Sequence, residues 1–459
     1  MNILLCNPQN TQATRHSRKG MYPPLGILSI ATCINEKLGT QVNIDVIDED
    51  VELLKLSNLN YYDIVGFYST TFNYSQALKY AYFAKEAGCI TVLGGPHPTV
   101  LAKNILKNRS CFDYILLNEA EWPFVSLIQC LIQKERKTNH SNKIANLAYK
   151  NDNGVVIQTS RWTNSLLELP IASRKFINFD SYVKNYHSVY RDKKHIRPGS
   201  IYSSKGCSWR DKTGGCIFCA RLEEGVRFRN IDHIWSEIEM LKDTYRVNYI
   251  WDIADDNLNN KEWFIDFVKR RPESCRKIKF FIYSRVIPIK PWVIEYFHEL
   301  NVEEVFLGVE SGDDSLLKNS FKGQTKKIAF KAMKLLNENR IKFFPSFVLG
   351  LPGESKQSLQ NTIDLCKDIS ELGGLDRMSS TILKPIPGSP AFYRVLNETL
   401  YGKDLSMLDE VDLAFLERYW IEQFTHVSYN TILNHKEIID TMMSKYQAFG
   451  SAVTEKNTK

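Results

Sequence analysis

The chain has 459 residues, too many for one compact core, so two or three domains are expected. A hydrophobic content of 43% and a charged content of 24% are ordinary for a soluble globular protein. The net charge is +7 with both signs well mixed, and no Arg/Lys block is interleaved with aromatics, so charge gives little support to a nucleic-acid partner. The short basic run Lys193-Lys194-His195-Ile196-Arg197 reads as a solvated linker. No apolar run reaches the roughly 20 residues that span a bilayer, so no membrane is expected. The start, Met1-Asn2-Ile3-Leu4-Leu5-Cys6-Asn7-Pro8, reads as a buried strand rather than a signal peptide, which places the chain in the cytoplasm. Ten cysteines are too sparse for a disulfide scaffold and are expected as thiols.

Residues 1–135 alternate strand and helix. Strands are expected at 2–6, 42–47, 63–68, 90–93 and 114–117, and helices at 24–38, 49–56, 74–87 and 121–132. This order predicts a doubly wound parallel sheet with helices on both faces. Ligands of such sheets bind beyond the carboxyl ends of the strands. Three loops lie there: one with Ser69, Thr70, Thr71 and Asn73, one with Gly94, Gly95, Pro96 and His97, and one with Asn118, Glu119 and Glu121. A nicotinamide site is disfavoured, because the first strand–helix turn lacks Gly-x-Gly-x-x-Gly. Residues 136–197 read as a connector with a hairpin around Asn151-Asp152-Asn153-Gly154.

Strand–helix alternation resumes over 198–400. Strands are expected at 200–203, 249–253, 279–283, 305–309, 342–349 and 378–383, and helices at 231–242, 261–269, 291–300, 325–339 and 359–369. About six units are fewer than the eight of a closed barrel, so a partial (β/α)6 TIM-type barrel is expected. Polar or glycine-rich residues recur where its strands end: Asp255, Asp256, Arg285, Glu310, Ser311, Gly350, Gly353 and Glu354. Residues 401–459 form a C-terminal helical segment, with helices at 409–424 and 436–448 and a polar, frayed tail from 450.

Between the first two barrel elements, Cys207, Cys216 and Cys219 fall in one short glycine-marked loop with the spacing Cys-x8-Cys-x2-Cys. The other seven cysteines sit in apolar or helical patterns and read as buried small hydrophobes. Three thiolates leave a four-coordinate metal one ligand short, and the open position is where chemistry happens. A structural zinc would want a fourth Cys or His close by, and His233 falls inside a predicted helix. An iron–sulfur cluster with one free iron is the leading reading. Phe218, between the last two cysteines, would shield it from water.

The cysteine loop with Phe218, the Glu310-Ser311-Gly312 triplet and the stretch Val348-Leu349-Gly350-Leu351-Pro352-Gly353-Glu354 resemble signatures of radical S-adenosylmethionine enzymes. The first domain, with Pro23-Pro24-Leu25-Gly26, Ser69-Thr70-Thr71 and Gly94-Gly95-Pro96-His97-Pro98-Thr99, is similar to the cobalamin-binding domain of one large subgroup. Two features depart from the family. Its first cysteine gap is usually three residues and is eight here, and no Asp-x-His-x-x-Gly supplies a histidine to cobalt.

The resemblance implies a 4Fe–4S cluster on the three cysteines, S-adenosylmethionine on its free iron, and cobalamin. It implies S-adenosylmethionine contacts from Phe218, Asp255, Asp256, Arg285, Glu310, Ser311, Gly350, Leu351 and Gly353, and cobalamin contacts from the loops at 69–73, 94–97 and 118–121. Reductive cleavage would give a 5′-deoxyadenosyl radical, with electrons from a flavodoxin or ferredoxin. The commonest activity of the subgroup is methylation of an unactivated carbon or phosphorus in a small molecule or peptide. Radical rearrangement or cyclisation is the alternative, and a non-catalytic iron–sulfur or zinc protein is the reading of another class. The insertion Trp209-Arg210-Asp211-Lys212 reads either as a surface excursion or as a reach toward the cavity.

Overall fold

The structure, a computed structural model, describes residues 1–10, 20–133, 144–158 and 165–446. The polar stretch expected at 134–142, the tail from 450 and the last residues of the helix expected at 436–448 lie outside them. The chain divides into two units, Met1–Tyr186 with Leu396–Val411, and His187–Val395 with the rest of the C-terminal region.

The first unit holds β1 (Asn2–Asn7), β2 (Asn43–Asp48), β3 (Ile64–Tyr68), β4 (Ile90–Gly94), β5 (Tyr114–Leu116), β6 (Leu147–Asn151) and β7 (Gly154–Gln158). The order is β2-β1-β3-β4-β5-β6-β7. The first five strands are parallel and the hairpin β6–β7 is antiparallel. Ile3, Leu4, Leu5 and Cys6 are all buried, as expected of a parallel strand covered on both faces. The order reverses between β1 and β3, which is where ligands of this topology bind. The Asn-Gly hairpin expected within a connector instead extends this sheet, with Asn151 opposite Gly154.

Two expectations are corrected. No α-helix forms at 49–56. The Glu49 carboxylate accepts from Gln9 N, Leu54 N and the Tyr80 hydroxyl, an arrangement that ties this stretch into a turn. The segment read as an open loop at 94–99 starts the helix Pro96–Asn108. Proline suits the first helical turn, where its missing N–H has no partner to lose.

The second unit holds six parallel strands in sequential order: β8 (Pro198–Ile201), β11 (Tyr249–Asp252), β12 (Lys279–Arg285), β13 (Val302–Glu310), β14 (Lys342–Leu349) and β15 (Ser379–Ile382). A small pair, β9 (Ser204–Lys205) with β10 (Arg227–Phe228), lies beside the cysteine loop in sequence. The six-stranded sheet is open between β8 and β15, which makes it the expected partial barrel. Strand periodicity sorts its faces. Phe280 points outward onto Trp235 and Phe267 of the helices Ile231–Tyr245 and Lys261–Lys269, with centroids 6.0 and 6.4 Å apart. Phe281 and Tyr283 point inward, where Tyr283 meets Phe306 at a tilt and Phe306 meets Phe344 edge to face, with centroids 5.0 and 4.9 Å apart.

The helix expected from 409 begins at Leu413, because the Asp412 carboxylate caps it by accepting from Ala414 N and Phe415 N. Helix Tyr429–Tyr446 packs along β15, where the Ser380 hydroxyl donates to Asp440 at 2.8 Å. Covering this edge removes an open row of backbone donors and acceptors.

Candidate active site

In the first unit the strand-end residues are tied mainly to one another. Gly95 has φ 113°, and a Cβ there would meet the Ser69 carbonyl oxygen at 2.5 Å, so only glycine allows this close approach. The Asn73 carboxamide accepts from Thr70 N at 2.7 Å and donates to the Pro8 carbonyl at 3.0 Å, joining the ends of β3 and β1. Glu121 is buried in the first turn of its helix and accepts from the Ser29 hydroxyl at 3.2 Å. Asn118 takes φ 52° and donates its N–H to the Thr99 hydroxyl.

His97 is buried with both ring nitrogens engaged: Nδ1 lies 3.1 Å from Thr71 Oγ1 and Nε2 lies 2.9 Å from the Asp409 carbonyl oxygen. Its ring stacks on Tyr74 at 4.3 Å. Burial pushes its pKa down to about 4, so it is neutral at ordinary pH. Asp409 in turn accepts from the Tyr74 hydroxyl at 2.8 Å and Arg109 Nε at 2.6 Å. These hydrogen bonds and the Arg109 charge outweigh burial and hold its carboxyl below the usual range. His97 is the one histidine among the described residues of this unit, and it has no nitrogen to offer a metal.

In the second unit the cysteine loop is held from several sides. Asn259 brackets its start: its side chain donates to the Gly206 carbonyl and accepts from Ser208 N, both at 3.0 Å. Cys207 precedes the short helix Ser208–Thr213, which uses up most of the eight-residue gap, and Gly214 ends it at φ 82°. Ile217 is buried, donating to the Ser320 carbonyl at 3.1 Å and accepting from Ala391 N at 2.9 Å. Cys219 N closes a turn onto the Cys216 carbonyl at 2.9 Å. The three loop cysteines are part-exposed, whereas Cys6, Cys33, Cys89, Cys111, Cys275 and Cys366 are buried and Cys130 is intermediate. Burial pushes the thiols of Cys33 and Cys366 up to about 12, as expected of inert core cysteines.

Around Cys216 the strand ends supply charge. Glu310 Oε1 accepts from Lys322 Nζ at 2.7 Å, and both side chains are 7% exposed. Lys322 Nζ lies 6.0 Å from the centre of the Phe218 ring. Arg285 donates to the Lys322 carbonyl at 3.4 Å, and its Nε is buried without a protein partner among the described residues. Burial pushes the Cys216 thiol up to about 11, while the Lys322 charge pulls it the other way.

The remaining expected residues have other surroundings. Asp255 pairs with Arg221 at 3.1 Å and Arg210 at 3.9 Å. Asp256 is buried, accepting from Leu258 N and the Ser284 hydroxyl, and burial raises its pKa to about 6. Ser311 lies 3.3 Å from the Thr362 hydroxyl. Leu351 is buried, and Gly353 N donates to the Phe424 carbonyl. Gly350 faces Ile421, and its carbonyl accepts from Trp420 Nε1 at 2.8 Å, so helix Leu413–Phe424 covers that side of the glycine stretch. The structure therefore gathers Cys216, Phe218, Arg285 and Glu310 in one neighbourhood. It ties Asp256, Ser311, Gly350 and Gly353 into loops. Sequence reasoning missed Lys322, whose signal was only its place twelve residues after Glu310, next to Gly323.

Among the described residues, no three His, Cys, Asp or Glu side chains stand close enough to hold an ion as they are. The trio is therefore a donor set on a braced loop rather than a closed cage. Its chemistry fits an iron–sulfur cluster: three part-exposed thiols on one short loop, with Cys216 beside two cations, one of which has an unpartnered buried N–H.

Comparison with known proteins agrees with this division. The model of the radical SAM superfamily matches residues 201–366, and that of the B12-binding domain matches residues 12–128. An uncharacterized methyltransferase of Pyrococcus horikoshii is 26% identical over 93% of this chain and 90% of its own length. The anaerobic magnesium-protoporphyrin IX monomethyl ester cyclase of Rubrivivax gelatinosus is 23% identical over 98% of this chain and 77% of its own. Among solved structures, the radical S-adenosylmethionine methyltransferase TsrM of Kitasatospora setae, with cobalamin and a [4Fe-4S] cluster, shares the fold at TM-score 0.69. It is 14% identical and covers 86% of this chain and 75% of its own. The cobalamin-dependent radical enzyme OxsB shares it at TM-score 0.63, with 17% identity over 88% of this chain and 56% of its own. With a B12-binding domain followed by a radical SAM domain, the chain belongs to the cobalamin-binding radical S-adenosylmethionine enzymes.

Proposed function

We propose that this enzyme methylates an unactivated carbon, or a phosphorus, of a small molecule or peptide. Cys207, Cys216 and Cys219 would hold the 4Fe–4S cluster, and the strand-end loops of the first unit would hold cobalamin. When bound, these groups supply electron transfer to S-adenosylmethionine and methyl carriage to the substrate. The single observation that carries the reading is the unpartnered Nε of Arg285, buried beside the Lys322–Glu310 pair next to the cysteine loop. A carboxylate such as that of S-adenosylmethionine satisfies such a donor. Phe218 would set its ring between the loop and water, and Glu310 holds the Lys322 ammonium in place.

The test is anaerobic purification and reconstitution, followed by counts of iron, sulfide and cobalamin and by product analysis with dithionite and S-adenosylmethionine. The expected result is about four irons per chain, one bound cobalamin, 5′-deoxyadenosine, and S-adenosylhomocysteine formed only when cobalamin is present. Absence of iron would sink the radical reading. Deoxyadenosine without cobalamin-dependent S-adenosylhomocysteine would favour a second reading, a rearrangement or cyclisation, which the likeness to the cyclase of Rubrivivax gelatinosus supports.

A further inference from the structure

The eight-residue gap between Cys207 and Cys216 is the chain's main departure from its family, and most of it is the helix Ser208–Thr213, half-buried over Ser208–Arg210 and exposed from Asp211. Trp209 makes three contacts there. Its indole N–H donates to the Phe321 carbonyl oxygen at 2.6 Å. Its ring lies against Gly323, where an added Cβ would stand 2.1 Å from Trp209 Cζ2. The third contact is with Arg285, whose guanidinium carbon lies 4.5 Å from the ring centre. The Cys216 thiol lies 3.9 Å from the same Phe321 carbonyl oxygen, within reach of a weak S–H hydrogen bond. Phe321 and Gly323 both take positive φ, 56° and 70°, so the turn bends its backbone toward the loop, and between them lies Lys322.

We infer that Trp209 is a positioning residue for S-adenosylmethionine binding: its ring and N–H hold the Arg285 guanidinium and the Phe321–Gly323 turn in their places beside Cys216. The inference rests on the reading that Arg285 faces S-adenosylmethionine, and it adds the part played by the inserted helix. A guanidinium on a long stem has many rotamers, and a flat indole beneath it removes most of them. The orphan Nε then points in one direction before any ligand arrives. The seat is specific in shape, because Gly323 is the one residue type that leaves room for the ring at that φ.

The experiment is a double-mutant cycle on the anaerobically reconstituted protein with Trp209→Ala, Arg285→Ala and the pair. Iron content is measured first. Affinity for S-adenosylmethionine is then read from the change it causes in the electron paramagnetic resonance spectrum of the reduced cluster, without turnover. Each single variant is expected to retain iron and to bind S-adenosylmethionine about tenfold more weakly, a cation–π and preorganisation effect. The pair should bind no more weakly than Arg285→Ala alone, because Trp209 acts through Arg285. Additive losses would overturn the inference. So would unchanged affinity in Trp209→Ala while Arg285→Ala is weakened. Unchanged affinity in Arg285→Ala would instead overturn the underlying reading of Arg285. Trp209→Phe keeps a ring and removes the N–H, and it guards against a failure of Trp209→Ala to take up iron. If Trp209→Phe binds S-adenosylmethionine as the parent does while Trp209→Ala loses iron, the role is structural and the inference fails.

Discussion

Both units end their parallel strands in polar loops, yet the two edges use their side chains differently. At the first edge His97, Asn73, Glu121 and Asp409 each find hydrogen-bond partners in neighbouring side chains or backbone, and the histidine is neutral. At the second edge Lys322, Glu310 and Arg285 crowd beside the part-exposed Cys216, and one guanidinium N–H is left over. The first pattern suits a rigid shape that receives a large ligand. The second is charged and under-satisfied, a pattern that recurs at functional sites.

The largest effect that separates the edges is on the cysteines. Cys207→Ala is expected to abolish cluster uptake and S-adenosylmethionine cleavage, whereas Cys33→Ala, in the first unit, should leave iron content unchanged. Iron analysis and visible spectra check both. Equal iron loss in the two variants would mean that the distinction between part-exposed and buried thiols carries no chemical information.

Much of this division was legible in the sequence. Short continuous apolar runs alternating with period-3.6 patterns marked both parallel sheets, because burial on two faces leaves strands such as Ile3–Cys6 with no polar residue to confuse the reading. The cysteine loop was legible because metal donors must be close in space, and a short loop makes them close in sequence. Lys322 was not, since its partner Glu310 is brought to it by the positive-φ turn at Phe321 and Gly323. The helix at Pro96 was misread because two prolines and two glycines usually signal a loop, while here Gly95 and Pro96 form a helix start. Glu49 ended a predicted helix through hydrogen bonds to residues far apart in sequence, which no local pattern displays.

The next effect is on stability at the charged edge. Lys322→Met leaves Glu310 buried without its cation and is expected to cost about 3–5 kcal/mol of unfolding free energy. The double variant Lys322→Met with Glu310→Leu should recover most of that loss, since the isolated charge and not the lost pair is what destabilises. Urea titrations of the cluster-free protein measure both. A double variant as unstable as the single one would show that the pair's geometry, rather than burial of a lone carboxylate, matters.

At the satisfied edge the corresponding effect depends on pH. The unfolded His97 binds a proton near pH 6.5, and the folded one only near about 4. Between these values the unfolded state binds more protons, so stability falls as the pH is lowered through that window, by about 3 kcal/mol in all. Asp409, held below the usual carboxylate range, titrates under this window. Asp48 is raised by burial and contributes with the opposite sign, so the comparison must be made against a variant rather than read from the parent alone. His97→Gln should remove the slope specific to His97. An identical pH dependence in parent and variant would place the acid sensitivity elsewhere.

The smallest effect tests whether partial exposure alone makes an ion pair weak. Lys85 and Asp113 of the first unit pair at 2.8 Å with side chains 37% and 30% exposed. Asp113 also accepts from Thr91 N at 2.8 Å and keeps that bond when the lysine is removed. Lys85→Ala is therefore expected to cost under about 1 kcal/mol, and high salt should erase most of the difference. The Arg109–Asp409 pair lies at 2.6 Å with the carboxylate 6% exposed and hydrogen-bonded to the Tyr74 hydroxyl as well. Arg109→Ala should cost more and retain its effect in salt, because the carboxylate it abandons is shielded from water. If both variants lose the same small amount, and salt abolishes both losses, then the network around His97 owes its rigidity to packing and neutral hydrogen bonds rather than to charge.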